Sequence, residues 1–177
     1  GEARWTYAVS KLAGEHMVSF FHRHHGLPTV ALRYFNCYGP GERADRYRGV
    51  VARFVGAALA GEPLVVTGTG METRQLTYVQ DAARATVLAV RRAEGLAGGI
   101  YNIASGVDTR VIDLARAIIE MTGGRSTIRM QEARPWDVVR HRRARTDRAK
   151  HDLGFTATTG LAEGLAETVE HARRSPT

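Results

Sequence analysis

The sequence predicts an α/β fold, on three observations. Short apolar runs bounded by turn residues, at 29–35, 63–67 and 100–104, alternate with longer amphipathic runs of helical period. The helical runs close on glycine, at Gly26-Leu27-Pro28, Gly61 and Gly123-Gly124, where a left-handed residue ends a helix without steric cost. The run at 29–35 is mostly apolar on both faces, the pattern of a strand buried in a parallel sheet rather than one half-solvated. Such alternation, with no internal repeat or low-complexity linker, is what helices packed on a largely parallel sheet require.

From the N-terminus, the spacing predicts a helix over 7–25, with Leu12, His16, Met17, Phe20 and Phe21 sharing a flank, and then the strand 29–35. A loop over 36–49 contains Gly39-Pro40-Gly41 and precedes a compact helix over 50–60. A strand over 63–67 enters Gly68-Thr69-Gly70, a second strand covers 74–79, and a helix follows over 81–93. After a glycine-rich loop at 95–99 comes the strand 100–104. Thr109 is placed to cap a helix over 111–122, because a threonine oxygen can accept from the first unpaired amides of a helix. A strand near 127–130, an irregular basic stretch and two helices, 147–153 and 160–173, complete the chain.

Composition narrows the class. With 177 residues, 44% hydrophobic and 24% charged, the chain is long enough for one core or somewhat more and has the balance of a soluble globular protein. No apolar run approaches the roughly 18 residues of a membrane span, and nothing at the start resembles a signal peptide. The lone Cys37 excludes an intramolecular disulfide and points to a reducing, cytoplasmic setting. A net charge of +7 predicts attraction to anions of any kind. The run Arg140-His141-Arg142-Arg143-Ala144-Arg145 reads as a solvated face, or as an extension of an anionic-ligand site. It lacks the aromatic interleaving of a nucleic-acid surface, so neither nucleic acid nor membrane is an expected partner. His22, His24 and His25 cluster at a helix end, but no carboxylate or cysteine completes a ligand set, and no metal is expected.

The stretch with the most chemistry is Thr6-Tyr7-Ala8-Val9-Ser10-Lys11. Residues four apart on a helix are neighbours on one face, so Lys11 lies beside Tyr7, and a cation beside a phenol favours the phenolate. Tyr7 is thus a candidate general acid/base, against the alternative of an ordinary pair at a helix start. Gly68-Thr69-Gly70 starts like a dinucleotide fingerprint but lacks the third glycine and leads into a strand, so no helix N-terminus is there to hold a pyrophosphate.

Five motifs, in order, carry a resemblance. They are Tyr7-Ala8-Val9-Ser10-Lys11; Leu32-Arg33-Tyr34-Phe35-Asn36-Cys37-Tyr38-Gly39-Pro40; Gly68-Thr69-Gly70 with Arg74-Gln75-Leu76-Thr77-Tyr78-Val79; Tyr101-Asn102-Ile103-Ala104-Ser105-Gly106; and Arg134-Pro135-Trp136-Asp137. Together they resemble the second half of an extended short-chain dehydrogenase/reductase, of the NAD-dependent nucleotide-sugar epimerase/dehydratase family. The resemblance implies the C-terminal part of a Rossmann-like doubly wound parallel sheet, residues 1–35 and 100–105, plus a smaller α/β substrate-binding lobe with a connecting helix, mainly 36–99 and 106–177. It implies NAD or NADP as cofactor and a nucleotide diphosphate sugar as substrate. Tyr7 becomes the catalytic acid/base and Lys11 its partner, which also bonds the nicotinamide ribose. Phe35 lines the nicotinamide pocket, Asn36 contacts the nucleotide sugar, Arg74 and Arg134 clamp its diphosphate and Asp137 meets its ribose. Two positions depart from the family pattern: Gln75 replaces an acid and Trp136 a glycine.

The family's first half, with its glycine-rich cofactor loop, is absent from these 177 residues, which start six residues before Tyr7. The sequence is accordingly expected to be a fragment of a longer enzyme, a non-catalytic sugar-nucleotide-binding or interaction module, or half of a split enzyme. By itself it is expected to be inactive and to hold NAD weakly. A sheet without its other strands would expose an edge and an apolar face, so self-association is expected, and in the family the helix of Tyr7 and Lys11 tends to build a homodimer interface. In the family, epimerisation, dehydration, decarboxylation and reduction all reuse this tyrosine and lysine.

Overall fold

The computed structural model describes residues 3–43, 49–133 and 141–174. In chain order the elements are α1 (Ala3–His25), β1 (Val30–Tyr34), β2 (Cys37–Tyr38), α2 (Val50–Leu59), β3 (Leu64–Thr67), β4 (Thr73–Gln75), β5 (Thr77–Tyr78), α3 (Val79–Arg91), β6 (Gly99–Ile103), β7 (Asp108–Arg110), α4 (Val111–Met121), β8 (Ile128–Gln131), β9 (His141–Arg142), α5 (Asp147–Leu153) and α6 (Leu161–Arg174). The fold is α/β, and three strand pairs, β1 with β6, β2 with β5 and β3 with β8, are parallel. β4 lies between β7, antiparallel to it, and β9, parallel to it. Among the described residues no helix is long and apolar enough to cross a membrane.

Side chains gather in two cores. One joins α2, α4 and α6 to β3 through Phe54, Val55, Leu64, Val66, Leu114, Ile118, Leu165 and Val169. Gly164 lets α6 lie directly on Tyr38 and Tyr78, since a Cβ there would collide with both rings. The other joins Ala85 and Ala89 of α3 and Ala149 and Leu153 of α5 to Tyr101 and Ile103 of β6, with Val30 and Leu32 of β1 against it. α3 and α5, which precede and follow β6 in the chain, thus pack together over one face of the β1/β6 pair.

Three local expectations change. Thr109 does not cap α4: it sits in β7 opposite Arg74, and the cap position is Arg110, whose side chain makes no cap bond. The first helix amides are instead taken by the preceding turn, Val111 N donating to Glu72 O at 3.0 Å and Ile112 N to Gly70 O at 2.9 Å. Carbonyls delivered by another segment replace a side-chain cap, which local sequence cannot reveal. The strand over 74–79 is two short strands, β4 and β5, and α3 starts at Val79, two residues early, with Asp81 in its first turn. The strand over 29–35 is not buried throughout: Arg33 and Tyr34 are exposed, because among the described residues β1 pairs only with β6.

Candidate functional site

Helix α1 presents Tyr7 and Lys11 on one exposed stripe, with Lys11 Nζ 5.4 Å from the Tyr7 ring centroid. The helix forms over a run without glycine or proline between Ala3 and Ala13, and it stops at Gly26, which takes a left-handed φ of 65°. Arg33 of β1 holds it from below, donating through Nε and Nη2 to the two oxygens of Glu15, each at 2.6 Å. That fork keeps the Glu15 carboxyl below its usual range and raises Arg33 further.

β1 ends on the two residues expected to meet the nicotinamide and the sugar. Phe35 N donates to Ile103 O at 2.9 Å, which prolongs the β1/β6 ladder by one bond, and its carbonyl accepts from Thr77 Oγ1 at 2.8 Å. Asn36 then turns the chain with a positive φ of 37°, a conformation asparagine tolerates better than most residues. Its carbonyl accepts from Thr77 N at 3.2 Å and its Nδ2 donates to Gln75 O at 3.1 Å. Phe35 and Asn36 therefore bridge the end of the β1/β6 pair to β4 and β5.

Arg74 is the middle residue of β4, half-buried, opposite Thr109 on one side and Arg142 on the other, and its Nη1 donates to Thr73 O at 2.8 Å. The structure thus brings Asn36 next to the strand of Arg74. Arg134 and Asp137 lie outside the described residues.

Gln75, the position where the family pattern has an acid, is 3% exposed and fully engaged. Its Nε2 donates to Asp108 Oδ1 at 3.0 Å and its Oε1 accepts from Ala144 N at 3.0 Å, while Asp108 Oδ2 accepts from Arg143 Nε. This ring fastens β4 to β7 and to the segment after β9. The Arg143 guanidinium, helped by Gln75, holds the Asp108 carboxyl below its usual range. The ring thus has its carboxylate on β7, and a second one at position 75 would face it. Gln75→Glu is expected to lower Tm at pH 7 by several degrees, and to do so less at pH 5, because a carboxyl raised by a like charge loses that repulsion on protonation. Thermal melts at both pH values test this; an equal effect at both would contradict it.

The 68–70 turn has the opposite polarity to an anion cradle. Its Gly70 carbonyl accepts from Ile112 N of α4, while Gly68 N is donated to Gln131 O at 2.9 Å and Thr69 N to Glu72 Oε1 at 3.3 Å. Among the described residues this turn therefore offers no pyrophosphate loop, in keeping with its reading as a strand-to-strand turn.

Sequence reasoning missed the Glu15–Arg33 fork and Asp81. A signal existed for the first, since Glu15 continues the four-residue spacing of Tyr7 and Lys11. For Asp81, an acid in the first turn of a helix is so common that its long-range role carries no local mark.

The model of the NAD dependent epimerase/dehydratase family matches residues 2–104, more than half of the chain. The chain belongs to that family. Among curated family members, a UDP-N-acetyl-alpha-D-glucosaminuronate decarboxylase from Bacillus cytotoxicus is 34% identical over 175 residues, which cover 96% of this chain and 54% of that protein. Among solved structures, a UDP-glucose 4-epimerase from Thermotoga maritima, crystallised with UDP-glucose, superposes with a TM-score of 0.88 at 34% identity, over 95% of this chain and 53% of that one. The enzyme WbmF from Bordetella bronchiseptica, crystallised with NAD+ and UDP, gives a TM-score of 0.83 at 37% identity, over 95% and 52%. The chain spans about half the length of these epimerase/dehydratase relatives.

Proposed function

We propose that the chain carries the proton-transfer and substrate-holding part of an NAD- or NADP-dependent enzyme acting on a nucleotide diphosphate sugar. The supporting observation is the shared stripe of α1, with the Lys11 ammonium over the Tyr7 ring at 5.4 Å, on a helix forked to the strand that ends at Phe35 and Asn36. Tyr7 Oη, as the phenolate, takes the proton of a sugar hydroxyl to become the neutral phenol and later returns it, and the neighbouring cation stabilises the negative charge the oxygen carries before and after. When bound, the cofactor would supply the hydride acceptor and donor chemistry at the same carbon, with Tyr7 and Lys11 at its nicotinamide end. Lys11 and Tyr7 have the donor chemistry for the nicotinamide ribose, and Phe35 offers an apolar wall to the ring. Asn36, Arg74, Arg134 and Asp137 form the substrate set, in which planar guanidinium forks suit a diphosphate. Residues 1–35 and 100–105 belong to the cofactor-binding sheet, and 36–99 and 106–177 mainly to the substrate lobe. A reducing cytoplasm fits Cys37 as the lone thiol.

Nothing among the described residues cradles the cofactor pyrophosphate, so these 177 residues alone bind NAD at about millimolar strength or weaker and do not turn over. Calorimetry with NAD and with UDP-, GDP- and dTDP-sugars tests the reading. A folded sample is expected to bind one nucleotide sugar, more weakly as salt rises, and NAD far less tightly. Micromolar NAD binding would overturn the incomplete-cofactor-site reading, and failure of every nucleotide sugar would overturn the substrate site.

The same α1 leaves Val9, Leu12, Met17, Phe20 and Phe21 between 42% and 62% exposed, a large apolar surface on one helix. Self-association through this helix is expected. Sedimentation velocity over a hundredfold range of concentration tests it, and a clean monomer throughout would contradict it.

A further inference from the structure

We infer that Glu15 and Arg33 are positioning residues, a peg that sets the axial register of α1 on β1 and thereby the placement of Tyr7 and Lys11 relative to Phe35. The inference rests on the proposed roles of Tyr7 and Lys11. Two contacts define how helix and strand run. Arg33 reaches Glu15, and Thr29 Oγ1 donates to Val18 O at 2.9 Å, so stepping forward along α1 means stepping back along β1. The two elements are antiparallel.

Register then follows from elementary geometry. Tyr7, Lys11 and Glu15 are spaced four apart and share one stripe. From Glu15, Lys11 lies about 6 Å and Tyr7 about 12 Å toward the helix N-terminus at 1.5 Å per residue. From Arg33, the same direction along β1 reaches Phe35 after about 6.6 Å at 3.3 Å per residue. Phe35 also shares the face of Arg33, by the two-residue alternation of a strand that its bond to Ile103 prolongs. A fork at Glu15 and Arg33 therefore sets Lys11 level with Phe35 and carries Tyr7 past the strand end, where Asn36 turns the chain. A shift of α1 by one residue would move Lys11 by about 1.5 Å along the axis and swing it by about 100° around it.

Every described side chain from Thr6 to Ala13 is exposed, and the first half-buried positions are Gly14 and Glu15. Of the fork and the Thr29–Val18 bond, the fork lies nearer to Tyr7 and Lys11, and its two parallel bonds constrain rotation as well as translation.

The sequence contains two lysines, Lys11 and Lys150, which makes the placement of Lys11 directly observable. After reductive 13C-methylation of the chain, Lys150→Arg assigns the two lysine signals. Glu15→Gln and Arg33→Met are each expected to shift or broaden the Lys11 signal and leave that of Lys150 in place. In the complete enzyme each is expected to lower kcat about 10-fold with KM for the nucleotide sugar unchanged, as a small misplacement of reacting groups does. The exchanged pair Glu15→Arg with Arg33→Glu should recover part of both effects. An unmoved Lys11 signal in both single variants would overturn the proposal, including the case where the variants only melt earlier. If Tyr7→Phe leaves turnover intact, the catalytic reading fails separately, and the lysine signal still decides whether the peg holds α1.

Discussion

Replacing Tyr7 with phenylalanine in the complete enzyme is expected to lower turnover about 100-fold or more, while the affinity for the nucleotide sugar stays nearly constant. The substitution removes one oxygen and one proton. The aromatic ring stays beneath Lys11, which lies 5.4 Å from its centroid, so the local packing of α1 is preserved. Loss confined to kcat is the mark of an interaction made only in the transition state, and a factor of 100 corresponds to about 2.7 kcal/mol. The proposed substrate set, Asn36, Arg74, Arg134 and Asp137, is untouched by the change and is expected to keep KM in place. Steady-state kinetics on both proteins decide it. A variant that loses affinity but not turnover would show that Tyr7 binds rather than reacts.

Asp81→Ala is expected to be strongly destabilising, at roughly 3 kcal/mol, or a fall in Tm of about 10 °C for a chain of this size. Asp81 is 2% exposed in the first turn of α3. Its carboxylate accepts from Thr158 N at 3.2 Å, Thr159 N at 3.0 Å, Thr158 Oγ1 at 3.2 Å and Arg84 Nη2. Alanine leaves two backbone amides without their acceptor, which is the main cost. Arg84 is 40% exposed and rehydrates, so its share is small. Burial pushes the Asp81 carboxyl up, but the amides of Thr159 and Thr158 and the Arg84 guanidinium outweigh it and leave it below its ordinary 3.8. A carboxyl depressed in the folded state contributes stability above its unfolded value and loses it as pH falls through the folded one. The gap between native protein and Asp81→Ala should therefore be full at pH 7 and narrow below about pH 4. Urea denaturation at several pH values measures it; a gap that grows toward acid would contradict the account.

Much of the fold and the pairing of Tyr7 with Lys11 on one stripe is legible in the sequence because both are short-range. Tyr7 and Lys11 meet through a spacing of four, and the end of α1 and the bounds of α2 follow from helical period and terminal glycines, whereas α1 starts at Ala3, four residues before the expected Tyr7. The 68–70 turn declares itself by the β-branched and aromatic residues after it. Where the reading slipped, a distant segment supplied what local sequence lacked. Thr109 looks like a cap, yet Glu72 and Gly70 carbonyls fill that role, and Thr109 is drawn into a ladder opposite Arg74. Gln75 reads as a departure, and its sense lies in Asp108, thirty-three positions away, and in the amide of Ala144.

The sequence by itself determined the alternation of helices and strands, the family motifs and their order, and the pairing of a phenol with an ammonium on one helix, because each depends on residues within a few positions of one another. Only the tertiary structure decided the rest. It closed α3 and α5 over the β1/β6 pair, delivered Asn36 to the strand of Arg74 and joined Glu15 to Arg33. Such contacts arise when burying apolar surface brings remote segments together, and polar groups left in those junctions must then find whatever partner the packing has placed beside them.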